Sequence, residues 1–263
     1  MDSLARAETL DGVAQVGMYP LDDVDREPSQ DHQVLEYRQR ISWHSGLPVR
    51  WTTMPDNSEP SRRLQLAIKR VIDVTGAAIG LVILAPLLIF VALAIKASSP
   101  GPVFFRQARE GQGGKLFDAL KFRSMRIESC DLSGVSQTQD NDPRVTPVGQ
   151  FIRRTSIDEL PQLFNVLVGD MSLVGPRPHV PGMLAGGRSY RELVPYYDER
   201  LAMPPGITGW AQANGLRGST RDRRLARERI DHDLAYIQNF SVWLDLKIIA
   251  KTVVREFFTG SGN

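Results

Sequence analysis

The sequence predicts a mainly helical α+β protein with one membrane-embedded segment, a small β-hairpin and amphipathic helices at the membrane interface. Three observations support this fold class. Residues 74–95 contain no charged side chain, and an apolar run of that length suits a membrane helix. Short aromatic runs flank the glycine-rich stretch 109–114, which is typical of a hairpin. The last apolar run, 240–258, has basic residues four apart, as an amphipathic helix would.

The N-terminal residues 1–60 are predicted to be a disordered acidic extension. They contain five Arg, no Lys and eleven Asp or Glu, whereas the whole chain has a net charge of +2. The rest of the chain is therefore basic, which suits an anionic ligand or surface. Nucleic acid is not expected as a partner, because no helix-turn-helix, RNA-recognition or zinc-finger pattern is found. The single cysteine, Cys130, excludes an intrachain disulfide.

Residues 61–97 are predicted to form the membrane segment, and two paths remain open for it. The 22 uncharged residues from Val74 to Ile95 would reach about 33 Å as a helix, enough to cross a bilayer. Hydropathy alone therefore favours a spanning helix. However, Pro86 can break the helix near its middle, and basic residues flank both ends, which favours two cytosolic ends. A re-entrant helix-break-helix that turns at Ala85 and Pro86 meets both conditions.

Two glycines in this run, Gly76 and Gly80, form a small-xxx-small pattern. Such patterns allow helices to approach closely, and this one would permit a homodimer. The pattern is also common in apolar helices that do not self-associate. A homodimer is therefore one arrangement that the sequence allows.

The most informative stretch runs from Arg153 to Pro178 and reads RRTSIDELPQLFNVLVGDMSLVGPRP. Two adjacent carboxylates, Asp158 and Glu159, stand where an apolar helical run begins. The structural alternative is a capping box, in which Glu159 reaches back to Ser156 and both carboxylates serve the helix terminus. Adjacent residues do not share a helix face. The pair therefore suits two separate tasks, one carboxylate as nucleophile and the other as a hard oxygen ligand for Mg²⁺.

Together with LKFRSM at 120–125 and PGITGWAQANG at 205–215, this stretch resembles the bacterial sugar transferases, or monotopic phosphoglycosyl transferases. The resemblance covers about residues 61–258, with three motifs in the family's order. It implies transfer of a sugar-1-phosphate from a UDP-sugar to undecaprenyl phosphate, with release of UMP. This would be the first membrane step of exopolysaccharide, capsule or O-antigen synthesis.

The resemblance also implies a location and a domain layout. Members of the family enter only one leaflet, so the re-entrant path becomes the favoured one. A catalytic domain at 98–258, which includes the C-terminal helix 240–258, would then lie on the cytoplasmic face of the bacterial inner membrane. A tail at 259–263 would follow it.

Individual site residues follow from the same motifs. Asp158 would attack the β-phosphate of the UDP-sugar to form an aspartyl-phosphosugar intermediate, and Glu159 would hold Mg²⁺. Guanidinium and ammonium groups suit phosphate oxygens, and the predicted phosphate-binding residues are Lys121, Arg123, Arg154 and Arg177. The third motif is predicted to contact the nucleotide or sugar through Gly209, Trp210, Gln212 and Asn214. A tight turn around a buried Trp is the structural alternative for that motif.

Two further segments are predicted near the membrane or the site. The helix 240–258 would lie on the membrane with a basic stripe that includes Lys247 and Lys251, or would pack on the core. The polar residues 127–144 would form a loop over or beside the site.

Two other functions remain open at this point. One is a metal-dependent phosphatase or pyrophosphatase that works through an aspartyl-phosphate. The other is a membrane-anchored scaffold without catalysis, in which the Asp-Glu pair only caps a helix. Release of UMP that depends on a lipid acceptor separates the sugar transferase from both. No residue in the sequence discriminates one donor sugar from another.

Overall fold

The computed structural model describes residues 45–48, 55–126 and 142–259, with side chains of the last helix as far as Arg255. Most of the predicted disordered extension at 1–60 lies outside the described residues. So do Cys130 and most of the loop predicted at 127–144, and the tail at 259–263 is described only at its first residue. What the sequence predicts for these residues stays a prediction.

One long helix, α1 (Pro60–Ser98), contains the predicted membrane segment. It begins with proline, whose fixed φ suits the first helical position, and ends at the extended residue Ser99. Its most apolar 18-residue window has a mean hydropathy of 3.0, and only 11% of that window is buried. A core helix of a soluble domain would be mostly buried. Because α1 is long, apolar and exposed, it indicates that the protein associates with a membrane.

The predicted helix-break-helix is not observed as two separate helices. The structure has a single helix with Pro86 in its interior. Proline cannot donate the hydrogen bond of the preceding turn, yet the helical backbone continues on both sides of it. The break expected at Ala85 and Pro86 therefore does not interrupt the secondary structure.

The two glycines of the small-xxx-small pattern face the rest of the same chain. A Cβ atom at Gly76 would lie 2.7 Å from the Leu173 side chain, and one at Gly80 would lie 3.4 Å from Leu163. The absence of side chains thus lets α1 approach its own folded domain closely. A homodimer formed through this pair gains no support from that packing.

A hairpin follows α1, as predicted. It consists of β1 (Phe104–Glu110) and β2 (Leu116–Phe122), which are antiparallel with Phe105 opposite Lys121. The turn between them is a short 3₁₀ segment, Gln112–Gly114. The glycine-rich stretch is thus a hairpin turn, as predicted.

The remaining elements confirm the mainly helical α+β class. In chain order the helices are α2 (Pro147–Arg154), α3 (Gln162–Val168), α4 (Tyr190–Leu193), α5 (Trp210–Ala213), α6 (Arg223–Asn239) and α7 (Val242–Thr259). The other strands are β3 (Ser172–Val174), β4 (Leu184–Ala185), β5 (Arg188–Ser189) and β6 (Gly206–Thr208). Strands β3 and β6 are parallel neighbours, and β4 and β5 form an antiparallel pair.

The hydrophobic side chains form one large cluster and two smaller ones. The large cluster packs α6 and α7 against the segment between β3 and α5, with Ile230 and Leu234 fully buried. The smaller clusters both involve α1. Ala77 packs on α3, and Ile95 packs on the end of β2 and on α2. Helix α1 is thus held by the domain on both sides of Pro86.

A buried polar network also ties α1 to the domain. The Lys69 ammonium of α1 donates to Asp245 of α7 at 2.7 Å and to the carbonyl of Val174 in β3 at 2.8 Å. One turn further along α1, Asp73 accepts from the Ser172 hydroxyl at 2.8 Å. Buried charges are tolerated when they are paired and hydrogen-bonded. The network therefore fixes α1 against the strand that leads into the Gly-Pro-Arg-Pro turn.

Lys69→Met is expected to lower the free energy of unfolding by about 3–5 kcal/mol, because it leaves the buried Asp245 carboxylate without its cation. Thermal unfolding in detergent would measure the effect. Lys96→Met is the matched control, since Lys96 lies exposed on the same helix. Equal melting temperatures for the two variants would contradict the role given to the network.

Candidate active site

A 3₁₀ turn, Ile157–Glu159, presents the two adjacent carboxylates between α2 and α3. Helix α2 begins after Thr146, whose hydroxyl caps it. After α2 ends, Ser156 adopts the left-handed conformation with φ 55°, which costs free energy for a residue other than glycine. The chain changes direction there, and the turn that contains Asp158 and Glu159 follows.

Glu159 lies between two cations contributed by separate motifs. Its Oε1 accepts a hydrogen bond from the Lys121 ammonium at 2.8 Å. The Arg177 guanidinium donates to both carboxylate oxygens, at 2.6 and 3.1 Å. Ser156 makes no side-chain cap bond, so the predicted capping box is not observed. Three stretches that are distant in the sequence thus meet at one carboxylate.

The pKa values of the two carboxylates are shifted in opposite directions. Burial works against ionisation of Glu159, but the charges of Arg177 and Lys121 outweigh it and hold its pKa well below the usual range. Burial raises the pKa of Asp158 to about 6, with the Glu159 charge adding and the Lys121 charge opposing. Asp158 is therefore ionised at neutral pH but more basic than an ordinary aspartate. Pairs whose pKa values are pushed apart are typical of a division of chemical labour.

If Asp158 is the predicted nucleophile, the reaction rate is expected to fall tenfold per pH unit below about pH 6, because a protonated carboxyl cannot attack. Glu159 does not contribute to this profile, since its pKa is lowered. UMP formation between about pH 5 and pH 8 at constant ionic strength would measure it. A rate that stays constant down to about pH 5 would contradict the ionisation given to Asp158.

The Gly-Pro-Arg-Pro turn that carries Arg177 is held by the pairing of β3 and β6. The Gly175 amide donates to the Thr208 carbonyl at 2.9 Å. A Cβ atom at Gly175 would lie 2.3 Å from the Pro204 carbonyl oxygen, so only glycine allows the two backbones to approach this closely. The carbonyl of Arg177 accepts from the buried Arg200. The turn is thus fixed on both sides of the guanidinium.

A family model described as bacterial sugar transferase matches residues 64–259, which include every element of this site. The chain belongs to the bacterial sugar transferase family. It is 54% identical over 199 residues to the exopolysaccharide production protein PSS of Rhizobium leguminosarum bv. phaseoli, a match that covers 76% of this chain and all of the relative.

Two other relatives extend well beyond the region that matches this chain. The chain is 46% identical over 218 residues to the UDP-glucose:undecaprenyl-phosphate glucose-1-phosphate transferase of Escherichia coli K12, covering 83% of this chain and 45% of the relative. It is 45% identical over 195 residues to the UDP-N-acetylgalactosamine-undecaprenyl-phosphate N-acetylgalactosaminephosphotransferase of Aeromonas hydrophila, covering 74% of this chain and 44% of the relative. The chain therefore matches less than half the length of these two proteins.

Arg123 does not join the site of this sugar transferase. Its guanidinium donates to the carbonyls of Pro100 and Ser99, the latter at 2.8 Å, and is buried at the end of α1. The placement contradicts the predicted phosphate contact. Strand β2 ends at Phe122, so the alternation that would have put Arg123 on the same face as Lys121 does not continue.

Arg153, rather than Arg154, acts on the nucleophile candidate. Arg154 is exposed at the end of α2. The charge of Arg153 lowers the pKa of Asp158, and its side chain donates to the Ser124 hydroxyl at 3.4 Å. Adjacent helix residues face different directions. The sequence therefore predicted Arg154, whereas its neighbour Arg153 is the arginine that influences Asp158.

Arg109 is a site residue that the prediction missed. Burial lowers its pKa to about 10, with the charge of Arg177 adding to the effect. It donates to the carbonyl of Pro178 at 2.8 Å. The signal was present in the hairpin pattern, because Phe105 lies opposite Lys121 and residues four apart on a strand share a face. Arg109 therefore lies on the face of the sheet that carries Lys121.

The third motif packs within the domain, against the turn that carries Arg177. Trp210 is 6% exposed in the main core, and Gln212 and Asn214 donate to backbone carbonyls at 3.1 and 2.8 Å. A Cβ atom at Gly209 would lie 2.2 Å from the carbonyl oxygen of Gly175. Trp210 is buried, as the structural alternative expects, and it begins the short helix α5.

One side of helix α7 packs on the core and the other side is exposed. It buries Leu244 and Ile248 in the main core. On its other side Trp243 is 76% exposed, next to the exposed Lys247 and Lys251. An exposed Trp beside basic side chains is typical of a helix at a membrane interface.

Proposed function

We propose that this sugar transferase moves a sugar-1-phosphate from a UDP-sugar to undecaprenyl phosphate and releases UMP. The observation that carries the proposal is the placement of Asp158, raised in pKa, beside a Glu159 held between Lys121 and Arg177. The names of the Escherichia coli and Aeromonas relatives support the same reaction and differ in the sugar. The donor is therefore specified only as a UDP-sugar.

The reaction has two displacements at one phosphorus atom. An Asp158 carboxylate oxygen attacks the β-phosphorus, the bond to the oxygen that bridges the two phosphates breaks, and UMP leaves with that oxygen. This step leaves an aspartyl-phosphosugar. A phosphate oxygen of undecaprenyl phosphate then attacks the same phosphorus and frees the Asp158 carboxylate. The product is a polyprenyl-diphosphate-sugar.

The cations of the site match the charge of the donor. The charges of Arg109 and Arg177 lower the pKa of Lys121, and the charge of Arg177 lowers the pKa of Arg109. The three cationic side chains therefore lie close together. Two or three fixed cations stabilise the negative charge that builds up on phosphate oxygens during displacement. The Arg177 guanidinium is exposed and can donate hydrogen bonds to two phosphate oxygens at once. Glu159 keeps Lys121 and Arg177 in place.

Mg²⁺ is proposed as the cofactor, with Glu159 as its protein ligand. Proteins usually hold Mg²⁺ through one or two carboxylates plus substrate phosphates and water, and Glu159 provides one such carboxylate. Among the residues that the structure describes, no group of three or more potential metal ligands occurs. When bound, Mg²⁺ would neutralise charge on the diphosphate.

We also propose that α1 enters the membrane from the cytoplasmic side of the bacterial inner membrane and does not cross it. Near its start, Arg62 donates to the carbonyl of Ile237 at 2.9 Å. At its end, the carbonyl of Ser99 accepts from Arg123. One domain thus contacts both ends of the helix. A helix that crosses a hydrocarbon core about 30 Å thick would place its ends on opposite sides.

UMP release tests the proposed function. The purified protein would be incubated with Mg²⁺ and a panel of UDP-sugars, with and without undecaprenyl phosphate. Repeated turnover that requires the lipid and prefers one sugar is expected. A hydrolase would turn over without the lipid. No UMP with any donor, from protein shown to be folded, would favour the scaffold.

A further inference from the structure

Three consecutive backbone carbonyls of the Gly-Pro-Arg-Pro turn and the residue after it, at positions 177–179, each accept a hydrogen bond from another element. The Arg109 guanidinium donates to the second carbonyl at 2.8 Å and the Glu110 amide donates to the third at 2.9 Å, and both donors belong to β1. The first carbonyl accepts from the Arg200 guanidinium. Arg200 lies in the 3₁₀ segment Tyr197–Ala202. The turn is therefore held by the hairpin on one side and by a separate part of the domain on the other.

The Arg200 side chain is itself fixed in the interior of the domain. It is 1% exposed, and its Nε and Nη2 atoms donate to the Asp233 carboxylate of α6 at 3.0 and 2.8 Å. Its guanidinium carbon lies 5.3 Å from the centre of the Tyr197 ring. A buried charge is tolerated when it is paired and hydrogen-bonded. The ion pair with Asp233 therefore orients the guanidinium that reaches the turn.

Arg177 connects this buried pair to the active site. Its side chain donates to both carboxylate oxygens of Glu159, at 2.6 and 3.1 Å, and is 43% exposed. Because the side chain is long and partly exposed, the position of its backbone decides which oxygen atoms the guanidinium reaches. Misplacement of a substrate-binding group by about 1 Å can lower a reaction rate by about 10². A series of contacts thus runs from Asp233 through Arg200 and the turn to Glu159.

We propose that Arg200, oriented by Asp233, is a positioning residue that places the Arg177 guanidinium for the diphosphate of the donor. The inference rests on the proposed function. Because Arg200 is buried, it acts through Arg177 and not by contact with the substrate. A planar guanidinium can donate to a carboxylate and to a carbonyl at the same time, and a lysine ammonium does not reproduce that geometry.

A double-mutant cycle tests the proposal. Arg200→Lys retains a positive charge beside Asp233 but loses the geometry that reaches the turn. Arg177→Ala removes the group through which Arg200 is proposed to act. The kcat and the KM for the UDP-sugar that gives the highest wild-type rate would be measured for the wild type, both single variants and the double variant. Arg227→Lys is the matched control, because Arg227 is half-buried on α6 and donates to the carbonyl of Leu193 at 3.3 Å.

The expected result is an effect of Arg200→Lys that depends on Arg177. In the wild-type background Arg200→Lys should lower kcat/KM for the donor about 10–100-fold, mainly through kcat. In the Arg177→Ala background the same substitution should change kcat/KM by less than about twofold, because residues that act as one unit are not additive. Arg227→Lys should stay within about twofold of the wild type. A merely structural role of Arg200 would lower the rate by the same factor in both backgrounds.

Three outcomes would overturn the positioning role. They are an unchanged kcat/KM in Arg200→Lys, an equal loss in the two backgrounds, and an equal loss in Arg227→Lys. The melting temperature of each variant shows whether it is folded under the assay conditions. If Arg200→Lys is unfolded there, the same cycle with Asp233→Glu decides, because that change retains the ion pair and moves the carboxylate that orients Arg200.

Failure of the positioning role and failure of the proposed function give different results. A folded wild-type protein without lipid-dependent UMP release would contradict the proposed function, and the positioning role with it. A wild-type protein with lipid-dependent UMP release and an additive cycle would contradict the positioning role alone.

Discussion

Asp158→Asn is expected to reduce UMP release below about 1% of the wild-type rate. The amide has nearly the shape of the carboxylate but cannot attack phosphorus, so the aspartyl-phosphosugar does not form. The rate would be measured with saturating UDP-sugar, Mg²⁺ and undecaprenyl phosphate. Asp118→Asn is the matched control, because Asp118 is exposed on the strand that carries Lys121. Retention of more than about 1% activity would contradict the nucleophile role.

Stability separates a chemical role of Asp158 from a structural one. A carboxyl whose pKa is raised on folding stabilises the protein below its unfolded pKa, and this contribution is lost as the pH rises through about 6. Ionised Asp158 is therefore a cost at neutral pH, which Asp158→Asn removes. The melting temperature of the variant should equal or exceed that of the wild type. A clear decrease would indicate that Asp158 supports the fold.

Glu159→Gln is expected to lower kcat by about 10²–10³, the usual effect of removing one electrostatic contact at a reacting centre. The substitution takes away the charge that holds Lys121 and Arg177, and it removes the proposed ligand of Mg²⁺. Activity should therefore also require more Mg²⁺ than in the wild type. Rates measured across a Mg²⁺ titration would show both effects.

Glu192→Gln is the control for that experiment, since it makes the same change at an exposed position on α4. A Glu159→Gln protein with wild-type kcat and an unchanged Mg²⁺ requirement would contradict both roles of Glu159. A lower kcat with an unchanged Mg²⁺ requirement would retain the cation-positioning role and reject the metal ligand.

Local patterns in the sequence predicted the elements that depend on local physics. The glycine-rich stretch 109–114 predicted the hairpin, because glycine supplies the backbone conformations that a tight turn needs. The uncharged run predicted the long helix. Proximity of Lys121 and Arg177 to the carboxylates followed from the family resemblance, and the structure brings all of them together.

The corrections concern features that depend on distant contacts. Arg123 binds the end of α1 because β2 ends one residue before it. Trp210 is buried in the main core, and its indole donates to the carbonyl of Ser45, a partner that no local pattern reveals. Pro86 predicted a break in the helix. The observed helix α1 is continuous, and it packs on the domain on both sides of Pro86.

The most direct test of the proposed mechanism is detection of the covalent intermediate. The protein would be mixed with the UDP-sugar and Mg²⁺ without the lipid acceptor, quenched with acid and analysed by intact-mass and peptide mass spectrometry. The proposed mechanism predicts an added sugar phosphate on the peptide that contains Asp158, formed with one equivalent of UMP and lost when undecaprenyl phosphate is added. Lipid-dependent UMP release without any adduct, in samples quenched during turnover, would contradict it and favour direct transfer between donor and acceptor.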